Sequence, residues 1–241
     1  MQAATRPCIG LIVPPAAGEV PEDARHLYGE RIRFIARGVG IGGVSPQGFA
    51  PVVHRIVDLA RELRDAGAQA ISLMGTSISF YRGAALTEQL RRELEDATGL
   101  PCTTMSHAVV ASLEALGVRR VAVATSYIDE LNDKLVAYLT HEGLQVTAIE
   151  GLGLTAVRDI GAVTPRTLIE LAERMVLRDR SADGVFISCG GLLTHDVIEP
   201  LEARLGLPAT ASSPAGFWDV VRVAGLDPAA RGFGRLFRLT T

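Results

Sequence analysis

Residues 184–191, GVFISCGG, end an apolar run on a cysteine followed by two glycines. A thiol there can be a nucleophile, an acid, a ligand or packing, and its neighbours decide which. Gly190 and Gly191 carry backbone N–H groups unshielded by side chains, and at a helix start such groups stabilise an anion or lower a thiol's pKa. The sequence thus places both glycines at a helix start, with a working Cys189 beside a negatively charged substrate. Inert packing behind a buried strand is the competing reading. A hydrolytic thiol needs a general base and usually a third group to orient it. His195 reads instead as a solvated residue opening the next helix, and His107 follows CTTMS at another helix start, where it is a second candidate for the cleft. His26, His54 and His141 have no distinguishing arrangement, and the chain has no HExxH pattern.

The elements that must position these residues alternate between short β-branched runs and longer amphipathic stretches, the pattern of parallel strands joined by crossover helices. Residues 9–13 (IGLIV), 70–74 (AISLM), 121–125 (VAVAT) and 184–188 (GVFIS) read as buried strands. Val52, Val53, Ile56, Val57, Ala60 and Leu63 share helical spacing, as do Leu131, Leu135, Tyr138 and Leu139. Asp129 and Glu130 suit the first turn of that second helix. Tyr127, just ahead of it, either turns its phenol inward or packs with its hydroxyl at the surface.

A weak internal repeat organises the chain: AISLMGTSISF lies over GVFISCGGLLT, and GLPCTTMSHAV over GLPATASSPAG. The overlay sets Gly75 opposite Cys189, Thr76 opposite Gly190 and Ser77 opposite Gly191. The expected fold is α/β, two pseudo-symmetric Rossmann-like halves with parallel sheets and the active site between them, at the carboxyl ends of the strands. Residues 1–241 would form one compact unit of two interleaved halves. One is centred on 9–116, with 214–241 a candidate closing segment, and the other on 118–213. The glycine-rich stretch 25–48 and the segment 151–165 are candidate lids over the cleft, or inert connections.

At 241 residues, 48% hydrophobic and 21% charged, the chain can bury a substantial core. A formal charge of -3 argues against broad nucleic-acid or anionic-membrane binding. The apolar run near the amino terminus is too short for a membrane span or signal-peptide core, so a cytoplasmic location is expected. Three scattered cysteines, Cys8, Cys102 and Cys189, suit neither a disulfide framework nor a CxxC metal site. No P-loop is present, and the glycines at 38–43 lack the strand-turn-helix setting of a dinucleotide fingerprint. A cofactor-free acid/base enzyme is the economical reading, and a non-catalytic protein that binds a small carboxylate is the alternative.

VPPAAG, SLMGTSISFYRGAA, GLPCTTMS, LGVRRVAVATSYID, SCGGLLT and SSPAGFWD together resemble the arylmalonate decarboxylase family, within the aspartate/glutamate racemase superfamily that also holds maleate isomerases. The racemase relatives set a cysteine on each wall of the cleft, whereas Gly75 occupies the first of those positions here. The resemblance therefore implies decarboxylation of a disubstituted aryl- or alkenylmalonate in preference to racemisation. A racemase or isomerase using another second base, such as His107, is the alternative. It further implies no cofactor or metal, a small dicarboxylate as the partner, and Cys189 as the proton donor. Thr76, Ser77, Tyr127 and the backbone N–H groups of Cys189, Gly190 and Gly191 would hold the retained carboxylate. Pro14, Ile41, Val44, Val157 and Ile160 would form an apolar wall facing the carboxylate that leaves. The oligomeric state and product enantiomer are left open.

Overall fold

The computed structural model describes residues 6–239. Its strands form two four-stranded parallel sheets. The first contains β1 (Cys8–Val13), β2 (Arg33–Gly38), β3 (Ala70–Leu73) and β4 (Cys102–Thr104), in the order β2-β1-β3-β4. The second contains β5 (Arg120–Thr125), β6 (Gln145–Gly151), β7 (Gly184–Ser188) and β8 (Ala209–Ala211), in the order β6-β5-β7-β8. The two sheets thus share one connectivity, and every strand pair is parallel.

Parallel strands joined by crossovers need helices on both faces of the sheet, and their side chains are then buried on both sides. Accordingly β1, β3 and β7 are buried at every position. In the first half the helices are α1 (Asp23–Tyr28), α2 (Pro46–Phe49), α3 (Ile56–Asp65), α4 (Thr76–Phe80) and α5 (Ala84–Thr98). They are followed by α6 (Met105–Ala115), which leads to β5, and by α7 (Asp129–His141), α8 (Val157–Gly161), α9 (Pro165–Arg178) and α10 (Ile198–Leu205). α11 (Ser212–Val223) follows β8.

α6 and α11 each begin directly after a short strand that follows Gly-Leu-Pro. They pack on each other, and each also reaches the opposite sheet: α11 touches β3 and β4, and α6 touches β8. Phe217, Val220 and Val221 of α11 join Ile9, Leu11 and Val13 of β1 in one buried cluster. The start of α6 is fixed by Thr104, whose hydroxyl accepts a hydrogen bond from the His107 N–H, an N-cap that satisfies one of the helix's free donors.

Two expectations are corrected. The candidate lid at 25–48 is loop only in part, because it contains most of α1, all of β2 and most of α2. β2, like β6, is a sheet edge; it is half-exposed and carries Arg33 and Arg37, so it lacks the apolar run of an interior strand. Gly190 and Gly191 do not open a helix either. They lie in a turn, and α10 begins only at Ile198, so no helix dipole acts on Cys189 from its own segment.

Candidate active site

A cavity of about 310 Å³ opens at the carboxyl ends of β1, β3 and β7. Pro14 comes from the turn after β1, Gly75 from the N-cap of α4 after β3 with Thr76 and Ser77 opening that helix, and Cys189, Gly190 and Gly191 from the turn after β7. The segments that follow the edge strands β2 and β6 complete its lining. Ile41, Val44 and Phe49 come from the β2 side, and Val157 and Ile160 from α8 on the β6 side. These loops meet where the Val44 N–H donates to the Thr155 carbonyl at 2.9 Å.

Cys189 is 6% exposed and is the sole non-glycine residue with positive φ among the described residues, at 137°. That region is close to glycine-only, and a side chain there costs on the order of 1–3 kcal/mol. The Cys189 N–H donates to Ser212 Oγ at 3.1 Å, and its carbonyl accepts from the Leu192 N–H at 3.2 Å. Burial pushes the thiol pKa up, opposed by the Ser126 hydroxyl, the Gly191 N–H and the Tyr127 phenol. The group is therefore a protonated thiol at neutral pH. Gly190 is tightly packed, since a β-carbon there would stand 3.0 Å from Met105 Sδ.

On the facing wall Gly75 is extended and caps the start of α4. Thr76 Oγ1 donates to Ser212 Oγ at 2.7 Å and lies 3.0 Å from Met105 Sδ. Tyr127 is 1% exposed. Its phenol oxygen accepts from Ser188 Oγ at 3.3 Å. Burial raises its pKa far above the ordinary tyrosine value, against the pull of the Ser188, Thr76 and Ser77 hydroxyls. The phenol therefore stays protonated and can donate a hydrogen bond to an anion.

Pro14, Ile41, Val44, Gly75, Thr76, Ser77, Val157, Ile160, Cys189, Gly190 and Gly191 thus line one cavity. Tyr127 is buried beside them and does not line it. The Cys189 N–H, expected as a donor to ligand, is taken by Ser212. His107 faces away, with Nδ1 2.9 Å from Thr104 Oγ1 and Nε2 3.2 Å from Glu88. His195 pairs with Asp196 at 3.0 Å and sits beside His26; neither His107 nor His195 lines the cavity. Sequence reasoning missed Phe49, Met74, Glu19 and Glu22 in the lining, and Ser126 and Ser212 behind it. The repeat offered a signal for Ser212, because the overlay pairs it with Met105, and both touch Thr76.

Residues 9–237 match the family model for arylmalonate decarboxylase. The chain belongs to that family. It is 53% identical over 238 residues to the arylmalonate decarboxylase of Bordetella bronchiseptica, covering 98% of this chain and 99% of the relative. A solved arylmalonate decarboxylase with one glycine-to-cysteine and one cysteine-to-serine replacement, in the liganded form, superposes with a TM-score of 0.94 at 52% identity. That match covers 96% of this chain and 98% of the solved one. The maleate isomerase of Nocardia farcinica is 27% identical, covering 95% of each chain. A solved maleate isomerase from the same organism shares the fold, with a TM-score of 0.89 at 23% identity over 98% of this chain and 99% of that one. Membership in the arylmalonate decarboxylase family, with maleate isomerases as more distant relatives, fits the wider aspartate/glutamate racemase superfamily. Among the described residues of this family member, no helix is long and apolar enough to cross a membrane.

Proposed function

We propose that this enzyme decarboxylates disubstituted aryl- or alkenylmalonates without a cofactor, giving one enantiomer of the monocarboxylic acid. The observation that carries the reading is the single buried thiol in the cavity, Cys189, on the wall facing Gly75, Thr76 and Ser77. The carbon–carbon bond to one carboxylate breaks and carbon dioxide leaves. The electron pair spreads into the retained carboxylate as an enediolate. Thr76, Ser77 and the Gly190 and Gly191 N–H groups stabilise that charge, with the buried Tyr127 phenol behind Thr76 and Ser77. Each such preorganised donor contributes on the order of 3 kcal/mol in a water-poor site. The Gly191 N–H also favours the thiolate that Cys189 becomes.

The leaving carboxylate faces Pro14, Ile41, Val44, Val157 and Ile160, where an anion is poorly solvated and neutral carbon dioxide is not. Cys189 passes its proton to one face of the planar intermediate, and the thiolate then takes a proton from water. Burial supports this order of events because it keeps the thiol protonated before the reaction. Because α6 and α11 cross between the sheets, the halves centred on 9–116 and 118–213 act as one unit around the cleft.

The test is carbon dioxide release from phenylmalonate by dialysed enzyme with chelator present. Turnover is expected from the native protein, and Cys189→Ala should lose it while still binding the product acid. Deuterium exchange with inversion of single enantiomers in D2O, with no carbon dioxide from arylmalonates, would instead identify a racemase or isomerase. Binding of malonates with no turnover of any kind would identify a carboxylate-binding protein.

A further inference from the structure

Ser212 opens α11 and is fully buried, and its hydroxyl oxygen accepts one hydrogen bond from each wall of the cleft. Thr76 Oγ1 reaches it at 2.7 Å from the β3 side, and the Cys189 N–H at 3.1 Å from the β7 side. Its neighbour Ser213 donates to the buried carboxylate of Asp23 on α1, which anchors this helix start from a third direction. The Cys189 backbone, held at a φ of 137°, is in a conformation that persists only where surrounding contacts enforce it.

We infer that Ser212 is a positioning residue that holds the proton-donating Cys189 and the carboxylate-binding Thr76 in register across the cleft. In the free enzyme its oxygen occupies the acceptor position towards which Thr76 points. When a carboxylate arrives, the hydrogen between the two hydroxyls reverses without moving either oxygen. Ser212 then donates to Thr76 Oγ1, and the Thr76 hydrogen turns to the ligand, an exchange open to any hydroxyl pair. The bond to the Cys189 N–H is kept throughout and keeps the thiol aimed at one face of the intermediate. This inference rests on the decarboxylase reading above.

Removing the Ser212 hydroxyl frees the Cys189 backbone to relax and lets water compete with a misdirected thiol. Ser212→Ala should lower kcat by about tenfold or more with KM within about threefold, since the loss falls on the transition state. It should also lower the enantiomeric excess of the product. Ser212→Thr, which keeps the hydroxyl, should restore both. In a Thr76→Val background the effect of Ser212→Ala on kcat should shrink, because one of its two arms is already gone. Thermal melting with and without product acid separates these effects from unfolding. If Ser212→Ala does not fold, Ser212→Cys supplies the same readouts with a weaker acceptor. The inference is overturned if the folded variant keeps kcat within about twofold and enantiomeric excess unchanged, or if KM rises as much as kcat falls. Native enzyme that releases no carbon dioxide would overturn the functional reading itself, and is distinguishable from both.

Discussion

A β-carbon on Gly75 would stand 2.5 Å from Ile78 Cγ2, and 3.2 Å from Pro14 Cγ. The wall opposite Cys189 is therefore shaped around the missing side chain. Gly75→Cys must displace the Ile78 methyl, and overpacking of this kind costs about 1–3 kcal/mol, read as a lower Tm. Ile78→Leu removes the branch at the β-carbon and should recover part of that loss. Gly75→Cys alone adds a second proton donor and should erode the enantiomeric excess. Combined with Cys189→Ser it should invert the product's handedness. Chiral chromatography that finds unchanged handedness in the double variant would remove the two-wall arrangement.

Cys189→Gly should be more stable than Cys189→Ala, although both are inactive. At most positions alanine is the more stabilising of the two because glycine loses more backbone entropy on folding. With φ at 137° the order reverses, by on the order of 1 kcal/mol. Denaturant unfolding of the two variants measures it, and an alanine variant as stable as the glycine one would show that the backbone is not strained there.

The pH profile follows from the direction of the thiol shift. Burial comes first among its causes and raises the pKa, and in the proposed mechanism the protonated form is the one that acts. Activity is thus present at neutral pH and lost as pH rises through the raised value. The alkaline limb of kcat should lie above the ordinary cysteine value of about 8.5. A limb below that would mean that the thiol's pKa is not raised in the enzyme, and activity that instead rises with pH would mean that the thiolate is the acting form.

Glu19 and Glu22 are exposed and line the cavity together with its apolar residues. A malonate dianion must pass these two negative charges, which opposes its approach without touching the chemical step. Glu19→Gln with Glu22→Gln should raise kcat/KM about threefold at low ionic strength, a gain that shrinks as salt screens the charges. Steady-state kinetics at two salt concentrations would show it, with kcat unchanged. A gain that persists undiminished at high salt would point to shape instead of charge.

The interior strands and the two turns that line the cavity were legible because buried parallel strands are unbroken apolar runs, and small polar residues follow them directly. β2 and β6 were not: as sheet edges they carry Arg33, Arg37, Gln145 and Glu150, and that composition is shared with loops. The helix expected at Gly190 failed because glycine pairs serve turns as readily as helix starts. The repeat set residues 75–77 opposite 189–191, and all of these line the cavity, whereas its pairing of Ser212 with Met105 carried no mark of what Ser212 touches. Its bonds to Thr76 and Cys189 join residues 136 and 23 positions away along the chain.

The bond between the Val44 N–H and the Thr155 carbonyl joins the loop after β2 to the loop after β6, one from each sheet. The apolar lining from one loop, Ile41 and Val44, is thereby tied to the lining from the other, Val157 and Ile160. Engineering for bulkier side groups has to treat the pair as a single latch, altering its two sides together.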